Sequence, residues 1–111
     1  MANFYKSETF DLTTTNLTTV LTISTSAIAI VKSVQCCVVD NTNTDLEVFL
    51  KKSGGSDVEI AHKTLNKSTE DLAVNIINME GGDVLKIQAD VADKASGQVS
   101  YLLIDRSQEN G

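Results

Sequence analysis

The pattern of apolar and polar residues is clearest between Ile28 and Leu50. Residues 28–39 are rich in Val and Ile, whose branched side chains fit a pleated, packed surface better than a helix. This run is apolar on both faces, so it predicts a central strand covered on both sides, with a buried helix as the alternative. A polar turn at residues 40–44 follows, and apolar positions then alternate with polar ones up to Lys51. We therefore predict a hairpin whose second strand has one face in water.

Short segments with the same alternation recur along the chain. Further strands are predicted at residues 17–23, 57–65, 84–91 and 98–105, with turns at 53–56, 80–83 and 93–97. Residues 69–79 fit a strand or a helix that begins with Ser68 and Asp71 as a capping box, and their Val, Asn and Ile residues favour the strand. Seven to eight short strands at roughly ten-residue spacing predict an all-β fold, a single antiparallel β-sandwich or jelly-roll-like domain.

The N-terminal segment, residues 1–11, differs from the rest because it combines aromatic residues with Lys and Glu. We interpret it as an arm or edge strand that packs on its own domain or on a neighbouring subunit. The sandwich domain is then residues 12–106, and residues 107–111 form a polar tail. The second strand of the hairpin places an aromatic residue outward, on the face of Glu47 and Lys51. The candidate interface residues are therefore Phe4, Tyr5, Phe10 and Phe49.

Size and charge narrow the possible functions. A chain of 111 residues is one domain with one modest core. Its net charge of −6 argues against direct nucleic-acid binding, which depends on Lys and Arg meeting phosphates. No apolar run approaches the length of a membrane span, and the first residues lack a signal-peptide layout, so we expect assembly in a cytoplasm. The absence of proline and the long alternating edges predict a homo-oligomer that covers those edges.

The sequence offers no catalytic constellation. His62 is the only histidine, and no acid and nucleophile accompany it, so we interpret it as a half-buried structural residue on the face of Val58 and Ile60. Cys36 and Cys37 are neighbours in the predicted strand and point to opposite faces, which prevents a disulfide between them. We predict no metal, no cofactor and no enzymatic activity.

The order of segments resembles a group of small β-sandwich virion proteins of tailed phages, of the type found in cyanophages and other marine phages. A Thr-rich start leads into Thr18–Thr22, and an apolar strand ends in Val38–Thr42. An alternating strand, Asp45–Lys51, comes next. Late in the chain a Gly-Asp turn opens Gly82–Ile87, and Val99–Ile104 is the final strand.

This resemblance implies a non-enzymatic structural protein located in the virion after assembly in the host cytoplasm. The expected role is a capsid decoration or cement protein that stabilises the head. Its expected partners are the major capsid protein or other virion proteins, and further copies of itself, possibly as a trimer. The alternatives are a head–tail connector, neck or tail component and, in a different class, a carbohydrate-binding module, which would use exposed Tyr or Trp rings.

Overall fold

The computed structural model describes residues 2–39, 43–66, 69–72 and 76–105. Within these ranges the chain forms strands joined by turns and bends, and no helix. The strands, in chain order, are β1 (Ala2–Leu12), β2 (Thr18–Thr22), β3 (Ala27–Val38), β4 (Asn43–Lys51), β5 (Asp57–Asn66), β6 (Thr69–Asp71), β7 (Ile77–Met79), β8 (Val84–Ala89) and β9 (Ala95–Asp105).

Two antiparallel sheets contain these strands. Sheet A has the order β1-β9-β3, and the short strands β6 and β7 both pair with the free side of β3. Sheet B has the order β2-β8-β4-β5. Since β6 and β7 share one edge, each sheet has four strand positions. The prediction of an all-β antiparallel sandwich with seven to eight short strands is confirmed.

The core lies between the two sheets and is almost entirely aliphatic. Alternate residues of β3, β8 and β4 are buried, as the period-2 pattern requires. The buried side chains with the largest volumes are Leu12, Ile23, Leu46, Leu65, Met79, Leu85 and Ile87. Burial of such side chains stabilises the domain by roughly 1.5–3 kcal/mol each before the entropy cost of folding.

The interpretation of β3 needs two corrections. The predicted hairpin of β3 and β4 was wrong, because the chain crosses between the sheets here: β3 belongs to sheet A and β4 to sheet B. This strand is central, as predicted, because it pairs with β9 on one side and with β6 and β7 on the other. It is covered on one face only, however: Ala29, Val31 and Val34 are buried, whereas Ile28 and Ile30 on the other face are half-buried. The apolar character of the second face therefore does not come from packing against a layer of the described chain.

A β-bulge changes the faces of β5. Val48 pairs with Ala61 but Phe49 pairs with Glu59, so Ile60 is the extra residue. Side chains after the bulge consequently point to the opposite face from the one that simple alternation predicts. His62 is therefore not on the face of Val58, and the prediction that it is a half-buried continuation of that face was wrong: it is exposed on the outer side of sheet B.

Residues 69–79 are strand rather than helix in their described parts, β6 and β7. Residues 73–75 lie outside the description, as do residues 40–42 of the predicted turn and the predicted polar tail, residues 107–111.

The N-terminal segment forms the edge strand of sheet A. β1 pairs with β9 through eleven consecutive partners, from Ala2 opposite Asp105 to Leu12 opposite Ala95. The strands of this half of sheet A are long, with 11 residues in β1 and β9, whereas β2 and β8 of the facing sheet have 5 and 6. Sheet B therefore covers only part of the inner face of β1.

Candidate interaction surfaces

The exposed aromatic residues of β1 lie on both of its faces. Phe4 and Phe10 point inward with Leu103 and Gly97, their partners on β9, whereas Tyr5 points outward with Leu102. The ring of Phe10 sits against Gly97, where a Cβ would come within 2.8 Å of Phe10 Cζ. Phe10 therefore fixes β1 to β9, while Phe4 and Tyr5 remain 41% and 79% exposed.

Two lysines accompany these exposed rings. Lys6 Nζ lies 5.7 Å from the ring centroid of Phe4, and Lys32 Nζ lies 5.4 Å from that of Tyr5. Lys32 is the extra residue of a β-bulge in β3, which directs its side chain towards the neighbouring strands. Cation–π contacts of this geometry at exposed sites contribute about 0.5–1 kcal/mol each. They favour the observed ring positions by a small amount.

The outer face of sheet A carries an apolar surface at the end where β3 begins and β9 ends. Ile28 pairs with Ile104, Ile30 pairs with Leu102, and all four side chains are half-buried. Tyr5 extends this surface onto β1, opposite Leu102. The outer patch is defined as Tyr5, Ile28, Ile30, Leu102 and Ile104. Of the predicted interface residues, only Tyr5 belongs to it.

The rest of the same outer face is polar. Beyond the bulge at Lys32, the outward pairs are Ser33 with Ser100, Gln35 with Gln98, and Cys37 with Ser96. Gln98 Nε2 donates a hydrogen bond of 3.0 Å to Gln35 Oε1 across the two strands. The apolar residues of this face are therefore concentrated at one end.

Phe49 lies in a different environment from the β1 aromatics. It is on the outer face of sheet B, as predicted, between Glu59 of β5 and Lys86 of β8. Lys86 Nζ reaches across β4 to Asp57 Oδ1 at 3.0 Å. Phe49 is half-buried, and charged side chains surround it. The structure thus does not bring Phe49 together with Phe4, Tyr5 and Phe10.

His62 belongs to the same charged face. Its Nδ1 lies 3.7 Å from Glu59 Oε1 and its Nε2 lies 3.9 Å from Asp45 Oδ2. The Asp45 carboxylate accepts a hydrogen bond from Thr64 Oγ1. Both distances from the His62 ring exceed hydrogen-bond length, so His62 lies among the polar side chains of an exposed surface without the close base–nucleophile contact that catalysis would need.

The two cysteines differ in environment although they are adjacent. Cys36 is buried in the core, and burial raises the pKa of its thiol to about 12. Cys37 is half-buried on the outer face of β3. A thiol that stays protonated is a poor nucleophile and a poor metal ligand, so Cys36 is a core residue.

Asp83 is a buried carboxylate with three hydrogen-bond donors, and the sequence pattern predicted only the turn that contains it. It is 1% exposed and accepts hydrogen bonds from the backbone N–H of Ser53 (3.1 Å) and of Glu80 (2.8 Å) and from Lys52 Nζ. The backbone of Ile23 also bonds to this turn, through Asp83 O at 3.0 Å and the Gly82 N–H at 2.8 Å. We call this arrangement the Asp83 clasp, because it joins three turns at one end of the sandwich.

The electrostatics of the clasp indicate a structural role. Burial raises the pKa of Asp83, but the hydrogen bonds from Lys52 and from the two N–H groups outweigh burial, and the net pKa is lowered. The pKa of Lys52 is raised by its hydrogen bonds to Asp83 and Glu80. Both groups are thus held in their charged forms, which leaves neither as a proton donor or acceptor near neutral pH.

The described residues contain no group of three or more His, Cys, Asp or Glu side chains that could hold a metal ion. None of them forms a helix that is long and apolar enough to cross a membrane. A groove of about 320 Å³ runs beside Tyr5 and Lys32, and another of about 370 Å³ lies beside Ile28 and Gly81, both next to the outer patch.

No protein-family model and no curated protein sequence matches the chain. Solved structures do match its fold. A chain from the acid-stable capsid of the Helicobacter pylori bacteriophage KHP30 is 15% identical, with a TM-score of 0.60, over 96% of this chain and 90% of that one.

Two other solved structures share the fold. A chain from the disulfide-linked pili that form Bacillus endospore appendages is 9% identical, with a TM-score of 0.53, over 92% of this chain and 84% of that one. Eiger TNF from S. frugiperda is 8% identical, with a TM-score of 0.54, over 96% of this chain and 97% of that one. At these identities the likeness establishes a shared sandwich fold.

Proposed function

We propose that this chain is a non-enzymatic structural protein of a tailed-phage virion. Within the virion we assign it the role of a capsid decoration or cement protein that binds the major capsid protein and stabilises the head. The observation that carries this proposal is the likeness to a phage capsid chain over nearly the full length of both proteins.

The sequence supports the same role independently of that likeness. The segments that resemble small phage virion proteins include the Gly82-Asp83 turn. In the structure this turn supplies the carboxylate of the Asp83 clasp, so the motif has a physical purpose: it fixes the ends of both sheets. A sandwich with its turns tied together suits a protein that must keep its shape on the surface of a particle.

The outer patch offers a means of attachment. In the isolated chain the half-buried Ile and Leu side chains expose part of their apolar surface to water. Covering that surface with a neighbouring protein is favourable. The patch lies at one end of a domain that measures 52 × 26 × 22 Å, beside the shallow grooves. Many such contacts repeated over a shell bind by avidity, even where each is modest.

The two other solved structures named above do not favour a different role. Assembly through disulfides, as in the Bacillus appendages, needs accessible thiols, whereas Cys36 is buried with a raised pKa and Cys37, on the outer face of β3, is half-buried. A carbohydrate module would use exposed tyrosine or tryptophan rings, and the sequence has no tryptophan and two tyrosines. Tyr101 is buried and donates a hydrogen bond to Glu8, which leaves Tyr5, with Lys32 Nζ over its ring, as the one exposed tyrosine. One fold that serves proteins of such different descriptions does not by itself choose a function.

The decisive experiment uses phage particles and shells made without the chain. If the proposal is right, the purified chain adds to preformed shells and raises the temperature at which they lose their contents. Shells that bind no chain, or that are equally heat-resistant without it, contradict the decoration role.

Copy number separates decoration from the head–tail connector, neck or tail alternative. Quantified protein bands of purified virions should give hundreds of copies for a decoration protein. A dozen copies or fewer would assign the chain to the connector or tail.

A further inference from the structure

The free edge of β1 is the longest uninterrupted edge in the described part of the chain. β1 is an eleven-residue strand that pairs with β9 without a register shift. Alternate residues of an antiparallel strand direct their N–H and C=O groups to one neighbour, so half of those groups in β1 point away from β9. An edge of this kind is a template for another strand.

The other edges are interrupted. β2 has 5 residues and a register shift, β5 has a bulge at Ile60 and many charged residues, and β6 and β7 have 3 residues each. Short strands and bulges are the usual protection against edge-to-edge association. β1 has neither, nor any proline.

We propose that two copies of the chain associate by antiparallel pairing of their β1 strands about a two-fold axis at Ser7. In this register the inward Lys6 of one copy lies opposite Glu8 of the other, and Phe4 lies opposite Phe10 of the other. All four residues are on the inner face, and Phe4, Lys6 and Glu8 are exposed in the single chain. Opposite charges and aromatic pairs are the cross-strand combinations that stabilise sheets.

The same strand argues against the neighbouring registers. A two-fold axis at Lys6 places two lysines directly opposite, and an axis at Glu8 places two glutamates opposite, both of which destabilise a strand pair. A slip by one residue turns the inner face of one copy against the outer face of the other. The Ser7-centred register is therefore the self-complementary one, and it joins the two A sheets into one continuous sheet.

Inward charges on an edge strand can also serve as protection against pairing. The spacing distinguishes protection from pairing here. Lys6 and Glu8 are symmetric about Ser7, so each meets the opposite charge of the second copy. This inference rests on β1 alone and does not depend on the virion role.

Charge reversal tests the register. Wild-type chain should show a concentration-dependent dimer by sedimentation velocity. Lys6→Glu and Glu8→Lys, each alone, place like charges opposite one another and should raise the dissociation constant roughly tenfold or more. Mixing the two single variants restores both ion pairs and should give a heterodimer, and the double variant should dimerise like wild type.

Matched controls are Lys51→Glu and Glu47→Lys, which make the same charge changes on the outer face of sheet B and should leave the dimer unchanged. Thermal unfolding of every variant shows whether the fold is intact, which matters for Glu8 because it accepts a hydrogen bond from Tyr101.

A cysteine at the symmetry axis gives a second test. In Ser7→Cys the two new thiols face each other across the strand pair, at a Cα separation suited to a disulfide. Mild oxidation should therefore produce a covalent dimer. In Thr9→Cys, on the same face two residues along, each thiol lies opposite Tyr5 of the other copy and should cross-link far more slowly.

A wild-type chain that stays monomeric up to millimolar concentration overturns the proposal. So does an oligomer, including a trimer, that neither charge reversal alters, or equal cross-linking at positions 7 and 9.

Discussion

The outer faces of sheets A and B both consist of the outward residues of alternating strands, yet the side chains that they expose differ in polarity. Sheet A presents the outer patch, in which four aliphatic side chains adjoin Tyr5, and the charged Lys32 lies at its border over the Tyr5 ring. Sheet B presents Asp45, Glu47, His62 and the Lys86–Asp57 pair around half-buried Phe49, with half-buried Val84 on the same face. On this comparison we propose that the chain makes its contact through the outer face of sheet A and leaves the outer face of sheet B in water.

The largest expected effect is on binding through the outer patch. Leu102→Lys and Leu102→Glu should each weaken attachment to capsid shells about hundredfold, close to 3 kcal/mol, since either unpaired charge would be buried in the contact. The measurement is occupancy of chain-free shells against chain concentration. Val84→Lys and Val84→Glu, on the outer face of sheet B, are the matched controls and should bind normally. Equal losses at both positions would remove the distinction between the faces.

The next effect is on the stability of the fold. It sharpens the comparison because a variant can lose stability while its outer patch, and therefore its binding, is unchanged. Asp83→Ala leaves the N–H groups of Ser53 and Glu80 without their acceptor, which should lower the free energy of unfolding by about 2 kcal/mol in denaturant titrations. Shell binding at low temperature should be unchanged because the outer patch is intact. A variant as stable as wild type would show that the clasp contributes little.

Acid should act on the same clasp more weakly than truncation does. The folded pKa of Asp83 lies below its ordinary value of 3.8, so its contribution to stability is present above that value and is lost as the pH falls through the folded pKa. Wild-type Tm should therefore fall more steeply below about pH 4 than the Tm of Asp83→Asn, whose side chain does not titrate. Parallel curves for the two proteins would contradict this assignment.

The smallest effect concerns the charged face. A double-mutant cycle with Lys86→Ala and Asp57→Ala should give a coupling energy of about 0.5 kcal/mol, because surface ion pairs are screened by water and salt. The value should decrease further in high salt. A coupling above about 2 kcal/mol would mean that sheet B contains a structural network of its own.

The sequence predicted the fold class because alternation along β4 and β8 directly reflects one buried face. It misplaced His62, since a bulge is set by the pairing of β5 with β4 and leaves no mark in the apolar pattern. The apolar residues on both faces of β3 also led to the prediction that both faces are buried, whereas only one of them is. An apolar pattern at Ile28 and Ile30 is the same whether these side chains pack inside their own protein or form a surface that a second protein covers.

The candidate surfaces were predicted in part. Aromatic content singled out Tyr5, but the outer patch depends on β3 and β9 being adjacent, which local pattern does not determine. Phe10 was chosen for the same reason as Phe4, and only the pairing with β9 shows that its ring rests against Gly97. The interface roles of Phe4, Tyr5, Phe10 and Phe49 stay predictions.

Because Cys36 is buried and Cys37 is half-buried, the native thiol of Cys36 can serve as a probe of opening of the fold. A thiol-alkylating reagent at neutral pH can modify Cys36 only when the two sheets separate around it, because the folded thiol is both buried in the core and protonated. The rate of its modification thus reports how often the whole sandwich opens. That rate can be followed by mass spectrometry in free chain and in assembled material alike, without any engineered label.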